Sequence, residues 1–101
     1  MKIWVDDVRQ EPRGYIRFCD VNSCIKFLNE LRSNGCISIV EVLDLDHDAG
    51  DFAVSGGDYI NILNWLEEVQ VSVPIRIHSF NSVGVENMRR IIETNNWKEI
   101  R

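Results

Sequence analysis

The chain has 101 residues, 45% of them hydrophobic and 27% charged, with a formal net charge of −5. That length suits a single domain with its own core, and the apolar fraction excludes a disordered chain. The acidic balance argues against a broad basic face for a nucleic-acid backbone, and no apolar run approaches the ~20 residues of a membrane span.

KIWVD (2–6) reads as a first strand and lacks the apolar core of a signal peptide, so a cytoplasmic address is the expectation. YIRFC (15–19) is a second strand, and polar Arg17 suggests that it lies at a sheet edge. The connector VRQEPRG is too short for a crossover helix. Fully extended, it reaches about 23 Å, enough to return along a short strand. A parallel second strand is therefore expected, with an antiparallel edge hairpin as the alternative.

Asp20 is placed to cap a helix in which Val21, Cys24, Ile25, Leu28 and Leu31 recur at helical spacing, and Asn34-Gly35 supplies its stop. ISIVEVLDL (37–45) is a third strand, central in the sheet. GGD (56–58) opens a second helix with Tyr59, Ile62, Leu63, Leu66 and Val69 inward. VPIRI (73–77) is a fourth strand. A third helix over about 83–95 carries Val85, Met88, Ile91 and Ile92 as its apolar stripe, and WKEIR (97–101) is a short fifth strand. Strands alternating with helices predict an α/β fold: a small, flavodoxin-like, mostly parallel five-stranded sheet without the first crossover helix. Cys19, Cys24 and Cys36 form no CxxC pair and read as reduced thiols, while Trp4, Trp65 and Trp97 read as packing residues.

Ligands of open α/β sheets sit outside the carboxyl ends of the strands. Here those ends carry Asp6-Asp7, then the run DLDHDAGD (44–51), then His78-Ser79 followed by Asn81. Carboxylates converging on one small volume repel strongly unless a cation joins them, and an all-oxygen set suits a hard cation such as magnesium or another divalent ion. An EF-hand is excluded, because Ala49 and Ser55 occupy the positions that need glycine and glutamate. The simpler alternative is a solvated acidic loop whose residues shape turns; Asp51 and Asp58 fit that description as a turn residue and a helix cap. The only two histidines, His47 and His78, both lie on this rim. Ser79, Asn81 and the amides opening the third helix are placed to hold a phosphate, with simple capping by Asn81 or Ser82 as the alternative.

The pattern resembles receiver domains of two-component response regulators, with Asp6, Asp7, Asp46 and Ser79 at the family's acidic and hydroxyl positions. It lacks the crossover helix after strand one, and Lys98 lies inside WKEIR rather than after a fifth strand. A closer match is the cyclic-phosphate processing receiver domain. VDDVRQEPRG, LDHDAG, GGDYINILNWLEE and HSFNSVG are similar to that family's four ordered motifs, with Val5, Asp44 and Ser82 as mild departures.

The resemblance implies a small phosphorylated ligand, a cyclic phosphate ester such as a cyclic nucleotide or an RNA-derived end. Asp6, Asp7 and Asp46 would hold the metal, and His47 and His78 would serve as base and acid in its hydrolysis. Asp48 would orient His47, and Ser79 and Asn81 would position the phosphate. The alternatives are a non-catalytic sensor of a phosphorylated ligand and a receiver domain phosphorylated on Asp46. Asp44, on the same strand face as Asp46, is expected to stand behind the ligands rather than among them.

Overall fold

Alternation along each strand decides which layer its side chains serve. The computed structural model of the protein describes residues 1–101. Four strands, β1 (Lys2–Val5), β2 (Tyr15–Phe18), β3 (Val42–Leu45) and β4 (Ile75–Ile77), form one sheet in the order β2-β1-β3-β4, every neighbouring pair parallel. The helices are α1 (Val21–Ser33), α2 (Ile60–Val69) and α3 (Ser82–Thr94). No helix is long and apolar enough to cross a membrane.

From β2 onward each crossover steps across the sheet in the same direction. Right-handed connections therefore place all three helices on one face. Ile3, Val5, Leu43, Leu45 and Ile75 point into that layer and meet Val21, Cys24, Leu28, Ile62, Leu63, Leu66, Met88 and Ile92 in one core cluster. The fully buried Cys24 thiol is pushed well above its ordinary range, first by burial and then by the nearby Asp20 charge.

Lys2, Trp4, Val42, Asp44 and Arg76 alternate onto the other face, which carries no helix. The connector from β1 to β2 takes a helix's place there. Trp4 is only 7% exposed, and its indole Nε1 donates to the carbonyl of Arg9 in that connector (3.1 Å). The extended return to a parallel β2 is thus the route the chain takes, with Lys2 facing Tyr15 and Val5 facing Phe18.

Several expected boundaries shift, among them the start of the fourth strand, which moves from Val73 to Ile75. The sheet has four strands, not five: Ile75 donates to the Lys98 carbonyl and accepts from Ile100, but only the single bridge Ile75–Glu99 forms. The Glu99 carboxylate turns instead to Arg89 of α3, at 2.7 Å from Nη2. The third strand begins at Val42 rather than Ile37, because β1 starts at Lys2 and offers Val42 its first partner; Ile37–Ile39 coil into a 3-10 turn. The second helix begins at Ile60, because Gly56 and Gly57 adopt left-handed backbone (φ 115° and 83°) that closes a 3-10 turn over Gly50–Ser55.

Leu43 is fully buried on a central strand. Leu43→Ala is expected to lower unfolding free energy by about 2–5 kcal/mol, read from urea denaturation, through lost transfer energy and the cavity left behind.

Candidate functional site

Aspartates shape the loops that follow β1 and β3 at the carboxyl rim. Asp6 directly follows β1; its Oδ1 accepts the amides of Val8 and Arg9 (2.9 and 2.8 Å), bending the chain out of the sheet. The guanidinium of Arg17, on edge strand β2, then clamps the carbonyls of Asp6 and Asp7, the latter at 3.1 Å. Asp46 follows β3, and its Oδ1 accepts the amide of His47 (2.8 Å). Asp6, Asp7 and Asp46 converge so that one carboxylate oxygen from each lies within 4.8 Å of the others.

Electrostatics separate these acids. Burial works against ionised Asp6, but the amides of Arg9 and Val8, with His78, outweigh it and hold the carboxyl below its ordinary range. Asp7 moves the other way: partial burial and the charges of Asp6 and Asp46 raise it. Tyr59 lies beneath, fully buried, donating its hydroxyl to the Cys19 carbonyl (2.6 Å). Burial and the charges of Asp7, Asp6 and Asp46 push its phenol well above the ordinary value, so it stays protonated.

The two histidines stand in different environments. Both ring nitrogens of His78 face buried carboxylates, Nδ1 on Asp44 (2.6 Å) and Nε2 on Asp6 (2.9 Å). Arg76 adds a third contact to Asp44 at 3.0 Å. Both ring nitrogens are thus engaged within the protein. The indole of Trp4 stacks on the imidazole with centroids 3.7 Å apart and planes 6° from parallel. With its side chain 7% exposed, His78 has no nitrogen left for a ligand, which does not suit the expected acid–base role.

His47 is more open. Its Nδ1 pairs with Asp48 Oδ1 (2.8 Å), while Nε2 has no protein partner and is not buried. That contact, with help from Asn81, holds the Asp48 carboxyl below its ordinary range. The ring packs closely against Gly84 in the first turn of α3; a Cβ there would stand 2.6 Å from Cδ2. The last glycine of HSFNSVG is therefore the seat of the imidazole.

Asn81 caps α3, its Oδ1 accepting the Gly84 amide (2.9 Å) while its Nδ2 donates to Asp48 (3.1 Å). Both ends of its side chain are thus engaged within the protein. Ser79 Oγ accepts the Asn81 amide (3.1 Å) and keeps its own proton to donate. Asp44 supports Asp6 from behind, through His78. Asp58 does not cap α2; its carboxylate accepts the Ala49 amide (3.0 Å) and, with His47 and Asp48, forms a second group of close donors. Trp4, Arg17 and Tyr59 were not expected at the site. Only strand alternation, which puts Trp4 and Asp6 on one face, hinted at the first.

The family model described as "Cyclic-phosphate processing Receiver domain" matches residues 1–94. The chain belongs to this family. No curated protein and no solved structure matched it. The family's name links the domain to cyclic-phosphate processing.

Two variants check this geometry. A raised folded-state carboxyl means that ionised Asp7 destabilises the fold: the stability present below the unfolded-state pKa is lost as pH rises through the folded one. Asp7→Asn is therefore expected to raise the melting temperature at pH 7 in the presence of a chelator, measured by calorimetry. Gly84→Ala is expected to fold but to displace the His47 imidazole, seen as changed ring-proton chemical shifts with those of His78 retained.

Proposed function

We propose that this receiver domain binds a cyclic phosphate ester at its carboxyl rim and hydrolyses it with the help of a divalent cation. The observation that carries the reading is the pairing of three mutually repelling carboxylates with an adjacent imidazole whose Nε2 is unpartnered. The donor set fits a hard cation such as magnesium: it is all oxygen, and Asp7 is disfavoured as an anion by its neighbours until positive charge arrives. Asp6, Asp7 and Asp46 would hold the ion, and when bound it would neutralise phosphodiester charge and increase electrophilicity at phosphorus.

His47 acts as the proton carrier. Asp48 fixes its Nδ1–H, so Nε2 accepts a proton from the attacking water and then returns it to the ring oxygen released from phosphorus. Ser79 donates to a phosphate oxygen, and Asn81 supports by holding Asp48 and the start of α3. His78 is a positioning residue, locking Asp6 from behind. A phosphorylation switch at Asp46 is less well supported, since Lys98 lies beside Ile75, at the opposite end of β4 from the rim.

With magnesium or manganese present, the protein is expected to open a cyclic phosphodiester, detected by phosphorus NMR. His47→Ala should keep the melting temperature near wild type while lowering turnover about 100-fold or more. Unchanged turnover would remove the imidazole from the mechanism. Tight binding without product would leave a phosphate sensor in its place.

A further inference from the structure

Three residues beyond Asp6, the connector presents a cation at the acidic rim. Arg9 is held by its backbone: its amide binds Asp6 Oδ1 (2.8 Å) and its carbonyl accepts the Trp4 indole (3.1 Å). Its side chain, half-buried, forms no salt bridge, although Asp6, Asp7, Asp46 and Asp48 belong to the same rim. The guanidinium rests instead over the ring of Phe80, 4.5 Å from its centroid. An arginine stacked on an aromatic keeps all five donors and its full charge available in a fixed orientation.

Phe80 is the stranger partner. It lies two residues beyond His78 and is 92% exposed, so it contributes nothing to the core. It borders a groove of about 650 Å³ that runs from the rim along α3, with Ser82, Val85, Glu86 and Arg90 among its walls. That volume falls within the range of small-molecule sites, and the largely polar walls offer both donors and acceptors beside Phe80 and Val85. The single exposed ring is unremarkable alone. Its position between an unpaired guanidinium and a polar groove is not.

We propose that Arg9 and Phe80 form a nucleotide subsite: Arg9 binds a non-bridging phosphate oxygen and Phe80 stacks on a planar nucleobase entering the α3 groove. This assigns base-bearing cyclic phosphates as the ligand class and rests on the site reading above. Arg9 supplies a guanidinium that, unlike that of Arg17, has no hydrogen-bond partner within the protein. Stacking on Phe80 selects for any flat heterocycle, while Ser82, Glu86 and Arg90 are placed to meet the polar edge of one.

The test compares adenosine 2′,3′- and 3′,5′-cyclic phosphates with base-free glycerol 1,2-cyclic phosphate, with magnesium, by calorimetric titration of the full chain. Phe80→Ala is expected to weaken binding of the preferred nucleotide about tenfold or more, to weaken glycerol cyclic phosphate distinctly less, and to be rescued by Phe80→Trp. Arg9→Gln should weaken both ligand types by a similar factor. Nucleotides binding no better than the base-free ester, a Phe80→Ala loss equal for both, or no effect of Arg9→Gln would each overturn the subsite, as would no binding of any probe. Product assays on the same samples separate the two ideas. Phe80-dependent nucleotide binding without product supports the subsite and removes catalysis. Turnover that is equal for base-bearing and base-free esters and insensitive to Phe80 removes the subsite and leaves catalysis.

Discussion

The bridge Asp44–His78–Asp6 holds the rim together. It joins the ends of β3, β4 and β1 through one imidazole, at 2.6 and 2.9 Å, with both carboxylates fully buried. Burying two carboxylates beside each other is costly unless charge and hydrogen bonds compensate, and here the imidazole between them, Arg76 and two backbone amides do so. Everything at the front depends on that arrangement. With Asp6 fixed from behind, the Asp6–Arg9 turn is fixed, and Asp7 is left facing Asp46 without comparable compensation.

The front of the site is correspondingly frustrated. Asp6 has its hydrogen bonds satisfied and is stabilised as an anion, whereas its neighbour Asp7 is not. A fold optimised only for stability would not leave Asp7 there. The contrast between adjacent residues, one structurally satisfied and the other electrostatically strained, is what supports the proposed binding centre over a plain acidic loop. Local rules obeyed almost everywhere fail at the position a ligand would use.

Much of this was legible in the sequence. The helical stripes placed Cys24, Leu28, Leu63, Leu66, Met88 and Ile92 in the core, and the short connector was correctly expected to lead to a parallel β2. The convergence of Asp6, Asp7 and Asp46 followed from strand-end logic. What failed was information that only three-dimensional pairing supplies. Ile37–Ile39 look like strand residues, but β1 has no backbone opposite them. WKEIR has strand composition, yet one bridge is all it forms. The roles of the histidines could not be read at all, because composition does not show that Asp44 and Asp6 would occupy both nitrogens of His78 while His47 keeps one open. Trp4 packs as expected, but a tryptophan in a strand looks the same whether it meets leucine or an imidazole.

The helix-free face sets how the protein can breathe. Its connector has no regular secondary structure and covers Trp4 through a single indole hydrogen bond and a turn built on Asp6. Such segments open at lower free energy than a helical layer locked by apolar side chains. Fluctuation of the connector would admit water to the Trp4–His78 stack while α1, α2 and α3 remain docked. Solvent therefore has a route to the charged interior from behind, and amide exchange in β1 should be governed by that local opening rather than by unfolding of the whole domain.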